Sequence, residues 1–352
     1  MIDNIYDTII HPQNLYRAAY AAALGKKSSA DVALFFFRME REIGRLHDEL
    51  RRGTYRHGPY TVFKIFEPKP RDISKALFRD RVVHHAIHDV IEPFIDKKFI
   101  FDSYACRHGK GTHAALARAQ SFLRARDYCM HGDIKKYFPS IDHAVLKVLL
   151  RRHIADSQLI FLLDHIIDTA RDEVGLPIGN LTSQFFANLY LHELDHFVKH
   201  TLGCRYYIRY MDDFLLFDND HAVLERWRAA IADMLESRLK LRLHTDKTRI
   251  FSVRKGMTFL GFRSSRGRCR VSAQGMKRVR ARMKKFRYLA GQKEITEPEM
   301  AASVLCWVAH SRSANSARLR SKMAKETAAW SAGISGILLG RPGTGRPPDV
   351  AF

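Results

Sequence analysis

No run of 18 apolar residues occurs in the 352-residue chain, so nothing in it reads as a helix spanning a bilayer. The opening Met1-Ile2-Asp3-Asn4 lacks the basic-then-apolar order of a secretory signal. Cysteine is scarce. Cys106, Cys129, Cys204, Cys269 and Cys306 are scattered, odd in number and without the paired spacing of a metal-binding knuckle. They read as reduced, structural thiols, and a cytoplasmic location is expected. Acidic residues are also in deficit: 37 Asp and Glu face 59 Lys and Arg, a net charge of +22. That imbalance bears on partners rather than fold, and the polyanion it suits is nucleic acid, with a membrane surface as the competing partner. What is present suffices for a sizeable core. Hydrophobic residues make up 46% of the chain, enough for two or three subdomains.

The chain is organised around Arg205-Tyr206-Tyr207-Ile208-Arg209-Tyr210-Met211-Asp212-Asp213-Phe214-Leu215-Leu216-Phe217. Aromatic and aliphatic residues crowd both sides of the Asp pair, which reads as two strands with the acids at the turn. Two carboxylates about 4 Å apart repel by roughly 4 kcal/mol at an effective dielectric of about 20. A fold that holds them together either raises a pKa or binds a cation. The alternative is a hairpin whose turn merely favours Asp. A third acid, Asp133, lies in Met130-His131-Gly132-Asp133-Ile134-Lys135-Lys136-Tyr137-Phe138-Pro139-Ser140-Ile141.

Asp133-Ile134-Lys135-Lys136-Tyr137-Phe138 resembles motif A of reverse transcriptases, and Tyr210-Met211-Asp212-Asp213 resembles their motif C. The resemblance extends over residues 60–330. It implies an α+β right-hand polymerase, with an N-terminal helical extension (1–59), part of the fingers (60–125), and a palm (126–255) into which finger helices are inserted at 143–172. A primer grip and helical thumb (256–335) and a disordered tail (336–352) would follow. By the same resemblance Asp133, Asp212 and Asp213 would hold two Mg²⁺ ions, one activating the primer 3′-hydroxyl and one neutralising the leaving pyrophosphate of the dNTP. Lys69 and Arg71, beyond the alternating strand Tyr60–Phe66, resemble the pair that clamps the triphosphate. A solvated turn is the competing reading. Phe138 stands at the steric-gate position that favours dNTP over NTP. Arg107, in the basic turn Ser103–Thr112, would contact template. Lys247, in a stretch like motif D, would protonate pyrophosphate, unless it is an ordinary surface lysine. Phe259-Leu260-Gly261-Phe262 resembles the primer-grip hairpin. His84, His85 and His88 suggest a metal at first sight but carry no acid-plus-His signature.

Elsewhere the pattern is helical. Ser28 or Ser29 caps a helix expected over 30–52 with Phe36, Met39, Ile43, Leu46 and Leu50 as its buried stripe. Further helices are expected from Asp80 to Ile95, over 143–152, 156–170 and 185–199, and after Asp220. Ser272 caps a helix to Gly291 whose stripe is Met276, Val279, Met283, Phe286 and Ala290. Lys277, Arg278, Arg280, Arg282, Lys284, Lys285 and Arg287 cover its other faces without one acid, which points to phosphate contact, led by Lys277, Arg280, Lys284 and Arg287. Thr296 to Glu299 is a capping box, and a third helix is expected over 315–330.

In most reverse transcriptases motif B reads Gln-Gly-x-x-x-Ser-Pro, whereas this chain has Ile178-Gly179-Asn180-Leu181-Thr182-Ser183-Gln184. Ile178, Gly179 and Gln184 in these places resemble the reverse transcriptases of diversity-generating retroelements. That resemblance implies adenine-mutagenised cDNA copied from a template-repeat RNA. Its partners would be template RNA, cDNA and a pentameric, basic accessory variability determinant, with no membrane. An RNase H domain, an endonuclease and a large maturase extension are expected to be absent. Two alternatives stand beside it: another bacterial reverse transcriptase (retron, group II intron-like or defence type), and a non-catalytic RNA-binding scaffold, against which the three acids count.

Overall fold

The computed structural model describes residues 1–26, 29–66, 70–170 and 172–340. Lys69 therefore lies outside the described residues, as do Ser28 and the segment 341–352. The strands in chain order are β1 (Thr61–Ile65), β2 (Arg71–Lys75), β3 (Tyr128–Asp133), β4 (Tyr207–Tyr210), β5 (Asp213–Asp218), β6 (Arg249–Ser252), β7 (Met257–Phe259), β8 (Phe262–Ser265) and β9 (Arg268–Val271). They form a β1-β2 hairpin, a sheet ordered β4-β5-β3-β6 and a sheet ordered β7-β8-β9. Helices make up most of the remainder, so the class is α+β. No helix of the described residues is long and apolar enough to cross a membrane.

Two compact units divide the chain. The first comprises Met1–Gly111, Met130–Leu216 and Ala222–Arg249. Its helix Pro12–Ala23 buries Leu15, Ala18, Ala19, Ala22 and Ala23 against helix Phe78–Asp96, small side chains that let the two backbones approach. Helix Phe78–Asp96 packs in turn on Leu181–Tyr190. The strands β4 and β5 run antiparallel, with Tyr207, Ile208, Phe214, Leu215 and Leu216 buried on their faces. One helix expected over 30–52 is two, Ala30–Phe37 and Met39–Arg51. Phe35 and Phe36 both reach the Phe78 ring, at 4.9 and 6.1 Å between centroids, and the chain re-registers at Arg38. The helix expected over 185–199 begins earlier and is segmented into Leu181–Tyr190, His192–His196 and a π-helical turn at Phe197–Thr201.

The second unit comprises Thr112–Cys129, Phe217–His221 and Ile250–Phe352. Its β7-β8 hairpin pairs Phe259 with Phe262 across Leu260 and Gly261, both at positive φ (49° and 84°), which a two-residue turn of the twisted-strand kind requires. Ser272 caps helix Ala273–Gly291 by accepting from the Gly275 N–H. Val279 and Phe286 are buried in a cluster with Met300, Val304, Val308, Met323, Ile334 and Leu338, while Met276, Met283 and Ala290 pack at its edge. Thr296 and Glu299 close the expected capping box. The expected disordered tail begins too early. Residues Ala332–Leu339 form a helix capped by the Ser331 hydroxyl and ended by Gly340 at φ 78°. Ile334, Ile337 and Leu338 hold it in the cluster.

Candidate active site

Asp133 ends β3, and Asp212 and Asp213 sit where β4 turns into β5. The turn is tight because Tyr210 pairs directly with Asp213, leaving Met211 and Asp212 as the loop. Met211 takes φ 56°, a conformation that bulky residues adopt only under constraint. Gly132 brings β3 in close. A Cβ there would lie 2.3 Å from the Phe214 ring, so only glycine lets the strand pass and sets Asp133 beside the hairpin. The end of β3 is then fixed by the segment before β6: the His244 N–H donates to the Asp133 carbonyl at 2.7 Å, and the Lys135 N–H to the Arg242 carbonyl at 2.9 Å.

The acids carry different company. The Lys247 ammonium reaches Asp133 Oδ1 at 2.5 Å. His131 hydrogen-bonds Asp213. Burial alone pulls the His131 imidazole down, but the bond to Asp213, that carboxylate's charge and the charge of Asp133 reverse this, and its pKa is raised. Burial pushes the Asp212 carboxyl up to about 6, and the charges of Asp133 and Asp213 add to this against the opposing pull of a backbone N–H and Lys247. Three carboxylates thus converge closely enough to perturb one another, an all-oxygen donor set of the kind Mg²⁺ takes. Among the described residues no group of three His, Cys, Asp or Glu side chains is arranged as a ready metal cage. The donor chemistry nonetheless fits, because Mg²⁺ is normally held by one or two carboxylates and completed by water and substrate phosphate.

The segment Ile178–Asn180 is tied to β2. The Ser74 N–H of β2 donates to the Ile178 carbonyl at 2.8 Å, and Asn180 Nδ2 donates to the Ser74 carbonyl at 3.0 Å. Gly179 between them has φ 115°. Ile178 is half-buried. Gln184 accepts from the Cys106 thiol at 3.4 Å. Phe138 is half-buried in a short 3₁₀ turn, its carbonyl accepting from the Leu176 N–H at 2.9 Å. Arg71 opens β2 and is exposed. Arg107 departs from expectation. Its side chain is 6% exposed, ion-paired with Asp96 and donating to the carbonyls of Ile100 and Ser103 at 2.8 Å. In this conformation it closes its own turn instead of facing outward. Lys277, Arg280, Lys284 and Arg287 are exposed along helix Ala273–Gly291 of the second unit. His84, which sequence spacing raised as a metal ligand, is fully buried against the His57 ring. His131, Ser74, Asn180 and Arg209 were not singled out from sequence. For Arg209 a signal existed, a lone cation amid a strand of buried residues.

The family model described as reverse transcriptase (RNA-dependent DNA polymerase) matches residues 67–264. Protein YkfC of Escherichia coli K12 is 29% identical over 287 residues, covering 66% of this chain and 74% of YkfC. The group II intron-encoded protein LtrA of Lactococcus lactis is 27% identical over 211 residues, and the match spans 55% of this chain but only 35% of LtrA. Among solved structures, apo telomerase from Candida tropicalis truncated from the C-terminal domain aligns with a TM-score of 0.48 at 12% identity, over 64% of this chain and 59% of that one. With the matched segment covering more than half of its length, the chain belongs to the reverse transcriptases, a family of RNA-directed DNA polymerases.

Proposed function

We propose that this protein copies an RNA template into cDNA, with Asp133, Asp212 and Asp213 as the reaction centre. The observation that carries the reading is the convergence of those three carboxylates at the ends of β3 and the β4-β5 hairpin. Two Mg²⁺ ions, when bound there, would supply Lewis-acid activation of the primer 3′-hydroxyl and charge neutralisation at the leaving pyrophosphate. The residues do the rest. Lys247, whose ammonium pairs with Asp133, would deliver a proton to the leaving pyrophosphate. Phe138 forms the floor under the sugar, and Ile178, Gly179 and Gln184 the wall of the nucleotide site. Arg71, with Lys69, meets the triphosphate. The cations of helix Ala273–Gly291 hold the nucleic-acid backbone without reading its sequence. In this reading β1 and β2 belong to the fingers, the sheet β4-β5-β3-β6 to the palm and the last four helices to the thumb.

The finer reading is a retroelement enzyme that mutagenises at adenine, with an accessory basic pentamer as partner. It rests on Ile178 and Gln184, which replace a hydrogen-bonding Gln and a rigid Pro. A second reading, a group II intron-type enzyme, is favoured by the match to the group II intron-encoded protein LtrA. Primer extension on a defined RNA template with Mg²⁺ and dNTPs tests the main proposal. Wild type extends, whereas Asp212→Asn loses at least 10³ in rate, about 4 kcal/mol of barrier, with its fold intact. Near-normal extension by Asp212→Asn would refute the assignment.

A further inference from the structure

Arg209 lies on β4 with its side chain wholly buried. It forks onto Asp195 of helix His192–His196, Nε to Oδ1 at 2.7 Å and Nη2 to Oδ2 at 2.6 Å. Asp195 is equally buried and accepts the Tyr207 hydroxyl at 2.8 Å. The remaining nitrogen, Nη1, donates to Asn188 Oδ1 and to the Met211 carbonyl, both at 3.1 Å. Asn188 in turn donates to the Ala105 carbonyl at 2.8 Å. The backbone is pinned as well: the Arg209 N–H donates to the Asp102 carbonyl at 2.9 Å, and its carbonyl accepts from the Tyr104 N–H at 3.0 Å.

A buried ion pair is a poor device for stability, because desolvating both charges offsets their attraction and an apolar pair of similar volume does as well or better. A guanidinium does one thing that an apolar side chain cannot. It carries a third donor direction, and here that donor ends on the carbonyl of Met211, the residue at φ 56° immediately before Asp212. Left to itself a two-residue turn with a bulky residue at positive φ relaxes toward other conformations. Asp195 and Asn188 set the guanidinium plane, and the plane holds the turn.

We propose that Arg209, oriented by Asp195 and Asn188, is a positioning residue that fixes the Met211–Asp212 turn and so keeps the Asp212 carboxylate beside Asp133. The inference rests on the reading of the three acids as the reaction centre. Two variants separate positioning from folding. Arg209→Lys keeps a cation for Asp195 but loses the fork. Arg209→Met with Asp195→Leu removes the pair at similar volume. Each is compared with wild type and Asp212→Asn for melting temperature, for kcat and KM with dNTP, and for Mn²⁺ affinity without nucleotide by electron paramagnetic resonance. The expected result is folded protein, kcat down tenfold or more, KM within twofold and Mn²⁺ bound at least threefold more weakly. Folded variants with kcat within twofold of wild type overturn the proposal, as does a loss that matches the unfolded fraction. Should both variants melt below the assay temperature, Asn188→Ala carries the test, since it keeps the ion pair and takes one of two acceptors from Nη1. A lower kcat at unchanged melting supports positioning, and an unchanged kcat overturns it. An active Asp212→Asn sinks the reaction-centre reading itself, whereas an inactive Asp212→Asn beside normal Arg209 variants sinks only this proposal.

Discussion

Replacing Gly179 by alanine perturbs one joint, the contact between the motif-B segment and β2. Two effects combine. At φ 115° an L side chain is strained, by about 1–3 kcal/mol. The added Cβ would also lie 2.8 Å from Ile73 Cγ2 and 3.6 Å from the Ser74 carbonyl oxygen. The Ile73 side chain is β-branched and stiff at χ1, so the loop gives way. Its retreat stretches the Ser74 N–H to Ile178 bond and the Asn180 to Ser74 bond, each of about 0.5–1.5 kcal/mol net. The total is of order 2–6 kcal/mol, felt at the joint rather than in the buried helices that set global stability. Melting temperature should change little, exchange of the Ser74 amide should accelerate, and kcat/KM for dNTP should fall at least about 30-fold, the equivalent of 2 kcal/mol. Adding Ile73→Ala to Gly179→Ala removes the steric part and leaves the strain, so the double variant should recover part of the loss. Hydrogen exchange with single-nucleotide extension kinetics makes the measurement. Unchanged Ser74 exchange and kcat/KM within twofold in Gly179→Ala would refute the coupling of this loop to the nucleotide site.

Two further outcomes concern the nucleic acid and fidelity. Neutralising Arg280, Lys284 and Arg287, all exposed on helix Ala273–Gly291, should weaken RNA binding and reduce the slope of log affinity against log salt by roughly 0.7 for each single-strand phosphate that the helix no longer neutralises. A slope that does not move means that this face is merely solvated or meets protein. Ile178→Gln should restore a hydrogen bond of about 1 kcal/mol to the nucleotide site and lower misincorporation opposite adenine, read by sequencing cDNA from a defined template. An unchanged adenine error rate with extension intact removes Ile178 from the account of infidelity.

What could be read from sequence was local. The β4-β5 hairpin was legible because strand, turn and strand are contiguous and the acids sit where the apolar run breaks. Helix Ala273–Gly291 was legible because its stripe repeats at the helical period and Ser272 marks its start. Glycine and proline are dense beyond residue 340, but the tail expected from 336 overlaps helix Ala332–Leu339. The Ser331 cap and the three apolar residues behind it prevail over that composition. Arg107 misled for a related reason: a basic, glycine-containing turn looks outward, but its partner Asp96 sits eleven residues back, at the end of helix Phe78–Asp96.

The side-chain pairs around the site lay beyond sequence because they join residues far apart in the chain. Lys247 and Asp133 are 114 positions apart and His131 and Asp213 are 82 apart, and no period or motif relates them. These pairs make the three acids unequal. Asp133 pairs with the Lys247 ammonium and Asp213 with the His131 ring, whereas Asp212 is held with its carboxyl pushed up to about 6 by burial and by its two neighbours. A carboxyl raised above its unfolded value stabilises the fold only when protonated, and that contribution is lost as pH rises through about 6. At neutral pH the ionised Asp212 is therefore held against its own preference. A structural turn has no reason to keep such a group when Asn would fit the same loop without the charge. In the proposed reading a cation that arrives with substrate compensates that charge, on a turn whose Met211 carbonyl accepts from the buried Arg209.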